Sequence, residues 1–204
     1  MATSQGRSFF ECEPSPRWDH FSAAVEDQLY MWGGKTERYP KEKSVLASYI
    51  HRFHPVLEYW EQLKSNSSPP ALYSGACTSI ESHLFIYGGL EDELSTNCLY
   101  QLDTESQKWQ QISNAGPMKK SGCKMIAYGK KLFLFGGYGV SPDPLLHFFE
   151  KSSKYSISST GWTNELHSFN LEEGECAALQ LLCMSSRKVL AAVLHYISVS
   201  YKRL

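Results

Sequence analysis

The residues with most chemistry to offer are six cysteines, seven histidines and a few glycine-rich turns. The cysteines stand at positions 12, 77, 98, 123, 176 and 183, and none forms CxxC or another metal-ligand spacing. They read as free, buried thiols of a reducing compartment. His51 and His54 are three apart. On a strand that spacing sends them to opposite faces, so they read as loop or surface histidines and not as a metal pair. His20 reads as a hydrogen-bonded structural residue, and Glu91-Asp92-Glu93 as a solvated loop. Gly136-Gly137-Tyr138-Gly139 follows an apolar run, as a phosphate loop would, but Pro142 and Pro144 stand where a helix N-terminus is needed. Between Gly122 and Gly129 lie six residues, and Lys131 replaces the Ser or Thr of a P-loop. No Gly-x-Ser-x-Gly elbow occurs. The expectation is a non-enzymatic protein with no metal and no cofactor.

Composition narrows the partners. Of 204 residues, 20 are basic and 21 acidic, a net charge of -1, so whole-chain charge leaves no footprint for nucleic acid or an anionic membrane. No apolar run reaches the 18 or so residues that span a bilayer. The N-terminal stretch has no apolar core of signal-peptide length. A soluble protein of the cytoplasm or nucleus is expected. Asn66-Ser67-Ser68 matches a glycosylation sequon but reads as a polar loop before Pro69-Pro70.

The elements that would position these residues repeat. Leu29-Tyr30-Met31-Trp32-Gly33-Gly34, Leu84-Phe85-Ile86-Tyr87-Gly88-Gly89 and Leu132-Phe133-Leu134-Phe135-Gly136-Gly137 are each four apolar residues followed by a glycine pair. A continuous apolar run of this length is a strand buried on both faces. Paired glycines permit close backbone approach and a sharp exit. Small or polar residues precede each run: Ser22-Ala23-Ala24, Ser74-Gly75-Ala76 and Ser121-Gly122-Cys123. Downstream, Tyr59-Trp60-Glu61-Gln62-Leu63 parallels Lys108-Trp109-Gln110-Gln111-Ile112. Leu166 to Leu171 parallels Leu99 to Thr104, which puts Cys176 where the first two units have Trp60 and Trp109. The unit is four-stranded and must stack on a neighbour to bury its faces.

A period near 50 residues with a glycine pair and a phased tryptophan resembles the kelch repeat over about residues 17–176, with Arg17-Trp18-Asp19-His20 as a blade opening. The resemblance implies an all-β partial kelch β-propeller of about three four-stranded antiparallel blades with a short C-terminal tail. Residues 1–16 would be an N-terminal segment, with blades over 17–66, 67–115 and 116–182. The third blade would hold an insertion at 140–160, and 183–204 would be a divergent tail. Gly33, Gly34, Trp60, Gly88, Gly89, Trp109, Gly136 and Gly137 would be its structural repeat residues.

The third unit carries a narrower likeness. Lys120-Ser121-Gly122, then Gly136-Gly137-Tyr138-Gly139, a long insertion and Gly161-Trp162-Thr163-Asn164-Glu165-Leu166-His167 occur in order. This resembles the kelch receptors that bring C-terminal degrons to cullin-RING ubiquitin ligases. The resemblance implies a peptide pocket with Tyr138 and Trp162 as rigid walls and Lys120 as the charge for a peptide carboxylate. It also implies elongin and cullin as partners. Ala178 to Arg187 approaches the elongin-binding pattern but has Arg187 where an aliphatic residue is expected. The kelch pattern stops after about Cys176, so the arginines that would clamp the carboxylate, which belong to later blades, are not in this sequence. A truncated member is expected, whose open arc would expose two sheet faces and favour self-association. The rival readings are a general kelch scaffold without a ubiquitin link, or a truncated isoform without function.

Overall fold

Leu84, Phe85, Ile86 and Tyr87 are all buried although alternate residues of a strand point opposite ways. Such a strand needs a packed neighbour on each side, and that requirement organises the chain. A computed structural model describes residues 13–65, 67–113, 118–140 and 160–179.

Three four-stranded antiparallel sheets follow one another. The first holds β1 (Phe21–Val25), β2 (Gln28–Trp32), β3 (Tyr49–His54) and β4 (Tyr59–Lys64), with a single-turn helix α1 (Lys43–Ser48) ahead of β3. In the second sheet the order is β5 (Ala76–Ile80), β6 (His83–Tyr87), β9 (Leu99–Asp103) and β10 (Lys108–Ser113), with β7 (Leu90–Glu91) and β8 (Leu94–Ser95) forming a small hairpin in the β6–β9 connection. Third comes β12 (Lys124–Tyr128), β13 (Lys131–Phe135), β16 (Leu166–Asn170) and β17 (Glu175–Leu179). Beside it lies a three-stranded sheet of β11 (Lys120–Ser121), β14 (Tyr138–Val140) and β15 (Thr160–Trp162). The all-β expectation holds, with α1 the addition that periodicity did not reveal. The predicted insertion is the connection from β14 to β15; its residues 141–159 and the tail 183–204 lie outside the described residues.

The register is the same in each sheet. Trp60 pairs with Phe53, Trp109 with Leu102 and Cys176 with Phe169. Cys176 therefore stands at the tryptophan position. The small-residue alignment, by contrast, needs correction. Ser22-Ala23-Ala24 lies inside β1, whereas Ser74 and Ser121-Gly122 precede their strands. The true equivalents are Asp19, Ser74 and Gly122, each fourteen residues before the first glycine of its pair and each with positive φ. They link the sheets: the Gly122 N–H donates to Ser74 O (2.6 Å) and the Ser74 N–H to Asp19 O (2.8 Å). Asp and Ser tolerate this left-handed conformation less readily than Gly, so no single residue type marks it in sequence.

Two cores fill the spaces between the sheets. Phe21, Tyr30, Trp32, Ile50 and Leu63 of the first sheet meet Leu84, Ile86, Leu102 and Trp109 of the second. Ala76, Phe85, Tyr87 and Leu99 of the second meet Met125, Leu132, Leu134 and Phe169 of the third. Trp32 and Trp109 touch with ring centroids 5.1 Å apart. The glycine pairs let the sheets close together at one end. A methyl group on Gly88 would lie 2.5 Å from Lys120 O, and the Gly89 N–H donates to that same oxygen at 2.8 Å. Gly33 and Gly34 stand in the same relation to Leu72 O.

Candidate functional site

The three-stranded sheet decides where the predicted site residues go. Ser121 pairs with Tyr138, and Tyr138 with Trp162, so the three share one row and one side. Lys120 pairs with Gly139, and Gly139 with Gly161, in the next row on the opposite side. The structure thus brings Tyr138 and Trp162 together and sends Lys120 away from them. The two rings meet edge to face, centroids 5.5 Å apart and planes at 71°, an arrangement aromatic quadrupoles favour. Trp162 is 78% exposed and Tyr138 41%. The Trp162 ring spreads over Gly122, where a methyl group would lie 3.6 Å from Cζ3.

Lys120 is 2% exposed. Its Nζ donates to Glu165 Oε2 at 2.8 Å and Thr163 Oγ1 at 3.1 Å. Glu165 Oε2 also lies 3.2 Å from Nε2 of the buried His167. Burial pulls the Glu165 carboxyl upward, yet its bonds to Lys120 and His167 hold it below the usual carboxylate range. A buried, paired ammonium does not reach a peptide carboxylate. The expectation of Lys120 as a direct contact is corrected on that ground: strand alternation turns it inward, where it fastens β11 to the segment between β15 and β16.

The same end of the first two sheets carries aromatic residues in the equivalent places. Trp18 bridges to Lys35, and Tyr73 to Leu90, as Ser121 pairs with Tyr138. Lys35 Nζ sits 4.2 Å from the centre of the Tyr73 ring and donates to Glu93 at 2.6 Å. Lys43 Nζ bonds Asp92 at 2.8 Å. Glu91-Asp92-Glu93 is therefore more than a solvated loop: it ties the hairpin of the second sheet to the first. Sequence reasoning missed Glu165, Thr163 and His167. Their signal was the spacing of Thr163, Glu165 and His167 at every second residue, running from the β15–β16 connection into β16, in the same unit as a lysine.

The other chemistry-bearing residues are structural. Cys77 accepts the Ser22 N–H at 3.2 Å and donates to Ser22 O at 2.9 Å. Burial pushes the Cys123 thiol up to about 11. Cys12 and Cys183 lie outside the described residues. His51 is buried within the field of Arg17, whereas His54 stacks on Tyr59 and pairs with Glu61. Among the described residues no three His, Cys, Asp or Glu gather where they would hold a metal. Nor, among them, is any helix long and apolar enough to cross a membrane.

The KLHDC2/KLHL20/DRC7 Kelch-repeats domain matches residues 19–196. The chain belongs to the kelch-repeat family. Among the described residues, its three four-stranded sheets are consistent with kelch blades. Human Kelch domain-containing protein 2 is 25% identical over 175 residues, 78% of this chain and 43% of that protein. Mouse Kelch domain-containing protein 3 is 27% identical over 72% of this chain and 41% of its own length. The Rho GTPase-activating protein gacHH of Dictyostelium discoideum is 30% identical over 75% of this chain but 10% of its own. The kelch chain thus spans about two fifths of the Kelch domain-containing proteins 2 and 3 that it matches. Kelch blades of this kind make protein-interaction modules.

Proposed function

We propose that the chain is a non-catalytic interaction module that captures a peptide segment of a protein partner on the face carrying its Gly-Gly turns. The single observation that carries this is the edge-to-face pair of Tyr138 and Trp162, with Trp162 largely exposed. An exposed tryptophan braced by a tyrosine is costly to leave in water and offers a rigid apolar platform with polar edges, the makings of a binding hot spot. Trp18, 49% exposed, adds a second exposed aromatic ring on the same face.

The partner class follows from the resemblance of the third unit to degron receptors. Peptides with a free C-terminal carboxylate are the ligands to test, and a cullin-RING ligase the assembly they would serve. Lys120 acts here as a positioning residue. It holds β11, and with it the floor beneath Trp162, against β15 and β16. The likeness of Ala178 to Arg187 to an elongin-binding pattern fails at Arg187, and in β17 Ala178 and Leu179 pair with His167 and Leu166, so no elongin contact is assigned to it. Residues 180–187 lie outside the described residues. A cytoplasmic or nuclear setting suits this reading.

The test is binding of a labelled peptide library presented with free or amidated C-termini, read by fluorescence anisotropy of the peptide. Preference for the free acid, lost in Trp162→Ala, supports the degron reading. Equal binding of acid and amide, still lost in Trp162→Ala, supports a general scaffold. Binding unaffected by Trp162→Ala overturns the platform.

A further inference from the structure

The repeat puts one position to different uses. Lys35, Leu90 and Tyr138 each follow a glycine pair, and they bridge to Trp18, Tyr73 and Ser121 in turn. In the third sheet's unit that position carries the Tyr138 ring. In the first it carries an ammonium held over tyrosine rings. Lys35 Nζ lies 4.2 Å from the centre of the Tyr73 ring and 5.3 Å from that of Tyr39. The two rings meet edge to face, with centroids 5.8 Å apart. Such rings attract a cation through their quadrupoles. Lys43, at the start of α1, supplies a second ammonium: it and the Tyr39 hydroxyl donate to the same carboxylate.

The anions on these donors come from the second sheet. The β7–β8 hairpin turns at Asp92 and Glu93. Glu93 Oε1 accepts from Lys35 at 2.6 Å. Asp92 accepts from Lys43 at 2.8 and 3.0 Å and from the Tyr39 hydroxyl at 3.3 Å. This hold is weak. The hairpin has only two residues in each strand. Its turn is left-handed at Asp92 (φ 47) and at Glu93 (φ 70), where two-residue turns favour Asn-Gly. The Asp92 and Glu93 side chains are 55% and 71% exposed, so water and salt screen both ion pairs. A cleft of about 210 Å³ opens beside the hairpin, between Lys43, Ala47, Pro70 and Asp92.

We infer that Lys35, Lys43, Tyr39 and Tyr73 form a binding site for an acidic peptide segment, which the chain's own Asp92-Glu93 turn covers. Two carboxylates of the incoming segment replace Asp92 and Glu93 on the two lysines. The ligand is acidic because the turn, on leaving, uncovers two ammonium groups and a hydroxyl, all donors to carboxylates. It is a peptide because the occupant it replaces is one, a pair of adjacent acidic residues. The internal turn competes at high effective concentration, so the covered site binds weakly. The site uses no residue of the Tyr138–Trp162 platform and stands or falls separately from it.

Fluorescence anisotropy of a labelled octaglutamate peptide with the full chain tests this. Asp92→Asn/Glu93→Gln removes both covering charges and keeps a turn that Asn tolerates. It should raise affinity about tenfold over wild type. Either single variant should give a smaller gain in the same direction. Adding Lys35→Gln/Lys43→Gln to the double variant should remove the gain. Glu105→Gln/Glu173→Gln makes the same change in net charge at exposed residues of other turns and should bind as wild type. Near-UV circular dichroism follows the fold of each protein. Equal gains from the two neutralised pairs would mean unspecific attraction and overturn the site. So would an uncovered variant that binds no better than wild type, or a gain that survives loss of both lysines.

Discussion

Lys120 Nζ lies 2.8 Å from Glu165 Oε2, on the opposite side of a three-stranded sheet from the paired rings of Tyr138 and Trp162. The ion pair thus fastens β11 to the segment between β15 and β16 on the side of the sheet away from the two rings. A buried ammonium with one carboxylate partner is costly to disturb.

Lys120→Met should leave Glu165 half-satisfied against His167 and cost about 2–4 kcal/mol. Glu165→Gln keeps an acceptor for Nζ but leaves the lysine without a counter-charge. The double variant Lys120→Met/Glu165→Gln should be less destabilised than the sum of the two. Urea unfolding midpoints of the three variants read the coupling directly.

Two glycines with similar backbone angles should respond differently to alanine. Gly88 has φ +64 and Gly129 φ +56, both left-handed. At Gly88 the added methyl would meet Lys120 O at 2.5 Å, whereas at Gly129 nothing lies within 4 Å. Gly129→Ala should cost about 1–2 kcal/mol, the conformational term alone. Gly88→Ala should cost several times more, because the second and third blades must part to admit it. Thermal unfolding of the two proteins side by side checks this.

His51 makes stability fall in mild acid. It is 4% exposed, and burial together with the field of Arg17 lowers its pKa from 6.5 to about 4. Its Nδ1 has no hydrogen-bond partner among the described residues. The unfolded histidine takes up its proton near pH 6.5 and the folded one near 4. Between these values the unfolded chain holds more protons, so stability drops as pH falls. From about pH 7 to about pH 5 the loss from this residue is about 2 kcal/mol. His51→Gln should flatten that part of the urea-midpoint profile. An unchanged profile would mean that His51 is charged in the fold.

Much of the fold was legible because its driving force is local. Leu84 to Tyr87 announces a strand buried on both faces, and Gly88-Gly89 its exit. The phase of Trp60 and Trp109 located Cys176 at the third equivalent position. The Asp19, Ser74 and Gly122 equivalence was not legible, because what repeats there is a backbone angle and not a side chain. The helix α1 is six residues long and too short to show a period.

The site was legible in part. Tyr138 and Trp162, far apart in sequence, meet across a strand pair. Lys120 was misplaced because its direction depends on the register of β11 against β14, which two residues of strand cannot reveal.

The most direct measurement of the central claim is peptide affinity of the wild-type chain and Trp162→Ala, by fluorescence anisotropy, with stability followed in parallel. Trp162 is so exposed that its loss should leave stability within about 0.5 kcal/mol. The account predicts at least about a tenfold loss of affinity, the cost of removing a hot-spot aromatic. Undiminished affinity in a folded Trp162→Ala protein would contradict it.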